Sequence, residues 1–96
     1  MSDAGFRSGL LLTFYPSGQL KRQTIIADGK PVGTSRVFRP NGSILLEEIV
    51  LPGGESTRRR FYQDGKIEHE LRLMNDKLMY EARYDEKGLR YQERRY

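Results

Sequence analysis

Ninety-six residues suffice for one domain, and a chain of that length buries only about 60–65% of its unfolded surface. With 36% apolar and 31% charged residues, the core must be thin, or completed by a second copy or a partner. The absence of cysteine excludes disulfide and thiolate chemistry, while a net charge of +4 invites a nucleic-acid partner.

The chain is organised by a period. Gly18, Gly42, Gly65 and Gly88 stand 24, 23 and 23 residues apart, each four residues after an aromatic: Phe14, Phe38, Phe61 and Tyr84. A fixed period of this length is the signature of a repeat architecture. Residues 1–96 are therefore read as one repeat domain, with units at about 9–33, 34–56, 57–79 and 80–96. The segment Met1 to Arg7 shows no basic stretch leading into an apolar run, and Leu10-Leu11-Leu12 is far short of a membrane span. A soluble, cytoplasmic chain without a membrane partner is expected.

In chain order, the first strand is expected over 9–15 and the second over 20–27, joined at Pro16-Ser17-Gly18. Asp28-Gly29 turns the chain into a third strand at 34–39, and Pro40-Asn41-Gly42 into a fourth at 44–51. Pro52-Gly53-Gly54 leads to 57–62, Gln63-Asp64-Gly65 to 67–74, Asn75-Asp76 to 78–84, and Gly88 to 89–95. Residues 81–95 could also be read as a charged helix, but Gly88 and the repeat phase argue against it. The fold class is thus all-β: an antiparallel meander of about eight short strands in a single-layer or curled sheet.

The glycine-containing loops fit a three-residue hairpin in which Gly takes the left-handed position. That loop sets Phe14 across from Leu20, Phe38 from Ile44 and Phe61 from Ile67. Carried onward without interruption, the register places Arg60 opposite Glu68 and Arg58 opposite Glu70 on the other face. It also collects Leu10, Leu12, Phe14, Leu20, Ile26, Phe38, Ile44, Leu46, Val50, Phe61, Ile67, Leu71, Leu73, Tyr80 and Tyr84 on one apolar face.

Phe61-Tyr62-Gln63-Asp64-Gly65-Lys66-Ile67-Glu68-His69-Glu70, with Phe38 to Glu47 and Tyr15 to Leu20, resembles the variant form of the MORN repeat. The stretch at Phe61 is the closest match, and Gly9 and Gly33 match the glycine that opens the next strand. The resemblance covers about 9–95 and implies a single-layer or gently curled antiparallel sheet that serves as an interaction module. It includes bacterial proteins of antitoxin type. The last unit departs from the pattern: Arg90 replaces an apolar residue, and Met79 and Ser56 stand where Gly9 and Gly33 do. It could be a cap, a bulged strand or part of an interface.

Candidate partner-binding residues are Phe14, Phe38, Phe61 and Tyr84 from the apolar face. Tyr15, Arg39 and Tyr62 join them, three residues before successive marker glycines, as do Arg58 and Arg59. Each has a plainer reading: core for the aromatics, strand-surface packing for the tyrosines, and a solvated, acid-paired face for the arginines. His69 is the sole histidine and has no acidic neighbour on its own side of a regular strand, which makes a poor metal site. No nucleophile–base pair or phosphate loop before a helix is present, so neither catalysis nor a cofactor is expected. The reading is a non-enzymatic protein-interaction module of antitoxin, immunity-protein or inhibitor type, with a second copy as one possible partner. A small basic nucleic-acid binder and a homodimeric adaptor are the alternatives.

Overall fold

A computed structural model describes residues 8–96 as eight antiparallel strands in one sheet, in the order β1-β2-β3-β4-β5-β6-β7-β8. They are β1 (Ser8–Phe14), β2 (Leu20–Ala27), β3 (Lys30–Phe38), β4 (Ile44–Val50), β5 (Glu55–Phe61), β6 (Ile67–Met74), β7 (Lys77–Tyr84) and β8 (Arg90–Arg95). There is no helix among the described residues, and 81–95 forms parts of two strands. Residues 1–7, on which the reading of the amino terminus rests, lie outside the described ones.

The sheet is a single open layer with β1 and β8 at its edges. Its extents are 50 × 36 × 13 Å, and its radius of gyration is 15.3 Å. A compact domain of this length would have a radius near ~12–13 Å. The thin core expected from composition is present: Leu73, Tyr80 and Ala82 are the buried apolar residues, joined by Thr24 and Glu70.

The four marker glycines close four like hairpins. In the third, Tyr62 N–H donates to Lys66 C=O at 2.8 Å and Gly65 N–H to Tyr62 C=O at 3.0 Å. Gly65 sits at φ 93°, and Gly18, Gly42 and Gly88 lie between 89° and 94°. Only glycine holds such angles without strain. At the opposite end, Asp28-Gly29 and Asn75-Asp76 form two-residue connections with positive φ at both positions. That is the requirement of a hairpin turn matched to strand twist.

Phe14, Phe38 and Phe61 pair with Leu20, Ile44 and Ile67, as the loop geometry requires. One step further the uninterrupted register fails. Phe61 pairs with Ile67, but Arg60 pairs with His69, so Glu68 is an extra residue with no partner. Lys21, Leu45 and Tyr91 are extra residues at the same place in the other units. Each is a β-bulge, which sets two residues against one and increases local twist.

The bulges correct two expectations. Arg58 does not face Glu70; Arg59 does. The single apolar face is divided as well. Ile44 lies beside Phe38, whereas Leu46, two residues on, pairs with Val37 on the opposite face. Ile26, Val50, Leu71 and Leu73 go with Leu46. Apolar residues therefore occupy both sides of the sheet, called here the aromatic face (Phe14, Phe38, Phe61, Tyr84) and the groove face. Met79 is a further bulge residue, between the Arg72–Tyr80 and Leu73–Leu78 pairs.

Candidate interaction site

On the aromatic face, Phe14, Phe38, Phe61 and Tyr84 form one row near the glycine-hairpin end, each from the first strand of its hairpin. Phe14 is 57% exposed at the β1 edge, while the other three are half-buried against their cross-strand partners. The next row is charged. Arg36 Nε lies 3.1 Å from Glu47, Glu47 lies 3.3 Å from Arg59, and Arg59 Nε lies 2.7 Å from Glu70. These four are successive direct cross-strand partners on β3, β4, β5 and β6. Signs alternate along the row, as neighbouring charges on a sheet prefer. The hydrogen bond to Glu70, aided by the Glu47 carboxylate, raises the Arg59 guanidinium pKa above its ordinary value.

Sequence reasoning found Arg59 but not its ladder. The signal was present in Glu47 and Glu70, which an unbulged strand assigns to the wrong partners. Arg60 does reach Glu68, at 3.3 Å, although the two are not ladder partners. Arg58 on the groove face binds Glu48 at 2.7 Å. Each residue of the Arg58-Arg59-Arg60 run thus has a carboxylate, and a partner phosphate would have to displace it.

Tyr15, Arg39 and Tyr62 point to the groove face, where they tie each hairpin to the next. Tyr15 Oη donates to Phe38 C=O at 2.7 Å and Tyr62 Oη to Tyr84 C=O at 2.8 Å. Arg39 donates to Phe61 C=O at 2.6 Å and to Ile44 C=O at 3.1 Å. A donor three residues before one glycine satisfies the carbonyl four residues before the next. Their polar ends are thereby engaged within the sheet, and only the rings and stems offer contact surface. Desolvation, the largest cause, and nearby carboxylates raise the Tyr62 phenol pKa.

The structure therefore distributes the nine candidates over two faces instead of gathering them. Phe14, Phe38, Phe61, Tyr84 and Arg59 share one; Tyr15, Arg39, Tyr62 and Arg58 share the other.

The groove face holds a shallow depression of about 640 Å³ that sequence reasoning did not find. Leu11, Ile26, Val37, Leu46 and Leu71 form its apolar floor, with Arg22, Arg58 and Arg60 around it. Ser35 also lines it, and its buried Oγ has no hydrogen-bond partner. The bulges create this site, because they turn Arg22, Leu46 and His69 away from the aromatic face.

At one end of the same face, His69 Nε2 lies 2.6 Å from Glu81 Oε2, and Arg83 adds a contact at 3.3 Å. The hydrogen bond from His69 is the main reason the Glu81 carboxyl is held below its usual pKa. The histidine is thus used in a cross-strand pair between β6 and β7. On the aromatic face the Tyr80 ring is flanked by its two cross-strand partners, Arg72 at 5.0 Å and Arg95 at 4.8 Å.

A family profile described as the MORN repeat variant matches residues 7–25. The matched span contains β1 and most of β2, the first hairpin, and not the stretch from Phe61 read as closest in sequence. No curated protein matches the chain.

Proposed function

We propose that this MORN-variant chain is a non-enzymatic, cytoplasmic binding module of the antitoxin, immunity-protein or inhibitor type, which docks a preformed sheet surface on a protein partner. The observation that carries this reading is the two-sided exposure of apolar side chains on a sheet only 13 Å thick. Phe14 and Leu12 on one face, and Leu11 and Leu46 on the other, are each at least 36% exposed. Apolar side chains exposed on both faces offer surface that a docked partner would cover. Preformed strands with satisfied charges can dock without ordering a loop, which keeps the entropic cost of association low.

The nucleic-acid alternative is weakened by the pairing of Arg58, Arg59 and Arg60 with glutamates. Phosphate-binding surfaces are basic clusters whose charge is free to release counterions.

The test is affinity capture from the native cytoplasm with the intact chain and with Phe14→Ser, whose exposed ring contributes little to folding. Recovery of one protein in stoichiometric amount, lost with Phe14→Ser or Leu46→Asp while the unfolding midpoint holds, supports the module. Inhibition of a captured toxin or effector supports the antitoxin class. Tight, salt-sensitive retention of random oligonucleotides with no protein bound would overturn both.

A further inference from the structure

The two sheet edges are built differently. β8 carries Arg90, Glu93, Arg94 and Arg95 in six residues, the charged edge by which sheets resist pairing. β1 reads Ser-Gly-Leu-Leu-Leu-Thr-Phe without a charge, and every one of its residues is exposed. Among the described residues, nothing pairs with its outer side.

We propose that β1 pairs antiparallel with β1 of a second copy about a two-fold axis at Leu11, joining two eight-stranded sheets into one. This deepens the binding-module reading by assigning a partner to one edge, and rests on it only in taking the sheet as an interaction surface.

Backbone geometry supports the register. Tyr15 N–H donates inward to Gln19 C=O. Alternation along an antiparallel strand then turns Thr13, Leu11 and Gly9 toward β2, and directs the N–H and C=O of Phe14, Leu12 and Leu10 outward. Centring two copies on Leu11 sets Leu10 opposite the partner's Leu12 and Ser8 opposite the partner's Phe14. Outward-facing residues meet outward-facing residues, so the backbone bonds can form in pairs. Leu11 meets its own symmetry mate on the groove face, and the side chains from Leu10 and Leu12 meet on the aromatic face.

The competing arrangement, β8 of one copy on β1 of the next, would repeat the internal junctions but lacks their tie. At internal junctions Tyr15, Arg39 or Tyr62 donates to the next hairpin's carbonyl. Asp85 occupies that place in the last unit, and an ionised carboxylate has no proton to donate to the Phe14 carbonyl. Growth by that route is discouraged, which leaves the closed, two-fold pair.

The chain has no cysteine, so a single introduced thiol reports on the register. Leu11 and its mate form a non-hydrogen-bonded pair with Cα atoms about 4.5 Å apart, within disulfide reach. Leu10 and its mate are offset by two residues and lie about 8 Å apart, beyond it. Oxidised Leu11→Cys is expected to run as a covalent dimer and Leu10→Cys as a monomer. The unmodified chain should sediment at twice its 11.2 kDa mass, and Leu11→Lys, which opposes two like charges on the axis, should sediment at that mass with its strand circular dichroism intact.

An unmodified chain sedimenting at 11.2 kDa at 100 µM would overturn the proposal, as would equal crosslinking of the two cysteine variants or a mass that climbs past the dimer. A monomer that still captures another protein overturns the pairing and leaves the binding module standing.

Discussion

Glu70→Gln is expected to destabilise the fold by about 2 kcal/mol, although it changes one atom of a side chain on a single-layer sheet. Glu70 has only 8% of its side chain exposed and Arg59 has 28%. Removing one partner of a fully buried pair costs about 3–5 kcal/mol, and of an exposed pair about 0–1 kcal/mol. Partial solvation of Arg59 and its second carboxylate, Glu47, place this case between those limits. The Arg60–Glu68 pair supplies the internal control, with side chains 51% and 39% exposed. Glu68→Gln should therefore cost at most about 1 kcal/mol. With a urea slope of about 1–2 kcal/mol/M for a domain of this size, Glu70→Gln lowers the unfolding midpoint by about 1–2 M. A double-mutant cycle with Arg59→Met should return a coupling of about 1–2 kcal/mol. Equal shifts for the Glu70 and Glu68 variants, with coupling under about 0.5 kcal/mol, would refute the claim that this ladder stabilises the sheet.

Gly42→Val should cost well over about 1 kcal/mol, because a β-branched residue is an outlier at φ 92°; chemical denaturation measures it. Tyr62→Phe should lose about 1 kcal/mol by removing the hydroxyl that satisfies Tyr84 C=O, and amide exchange should quicken at the β6–β7 junction. Stability should fall in acid as Glu81 protonates. Its folded pKa is lowered, so its contribution is complete above the free glutamate value of about 4.3 and fades as pH falls through the folded pKa. Glu81→Gln should flatten that part of the stability–pH curve, and an unchanged acid limb would discount the His69–Glu81 bond.

The turns were legible in the sequence because their chemistry is local: Gly at positive φ, Pro or Asp ahead of it, an aromatic before the loop and an aliphatic after it. Strand number, order and the three aromatic–aliphatic pairs are dictated by those few residues. The residue that faces each arginine is not. Lys21, Leu45, Glu68 and Tyr91 share no side-chain chemistry that announces a bulge, yet each reverses the facing of the strand residues beyond it. Usually a buried face exposes such an error as polar residues pointing into the core. Here both faces are mixed, so either parity looks acceptable. Tyr15, Arg39 and Tyr62 were conspicuous for another reason. Their regular spacing is compatible with a partner surface or with ties between hairpins, and only the distances to Phe38, Phe61 and Tyr84 distinguish the two.

Each strand of the sheet touches only the strands before and after it in the chain. No contact has to await the meeting of distant segments, so loop-closure entropy is met in small instalments and the structure can zip from any formed hairpin. For an all-β protein this predicts rapid assembly at low contact order. Loss of structure should likewise travel inward from an end, and the β1–β2 hairpin, exposed along its outer strand, should peel first unless something clamps it.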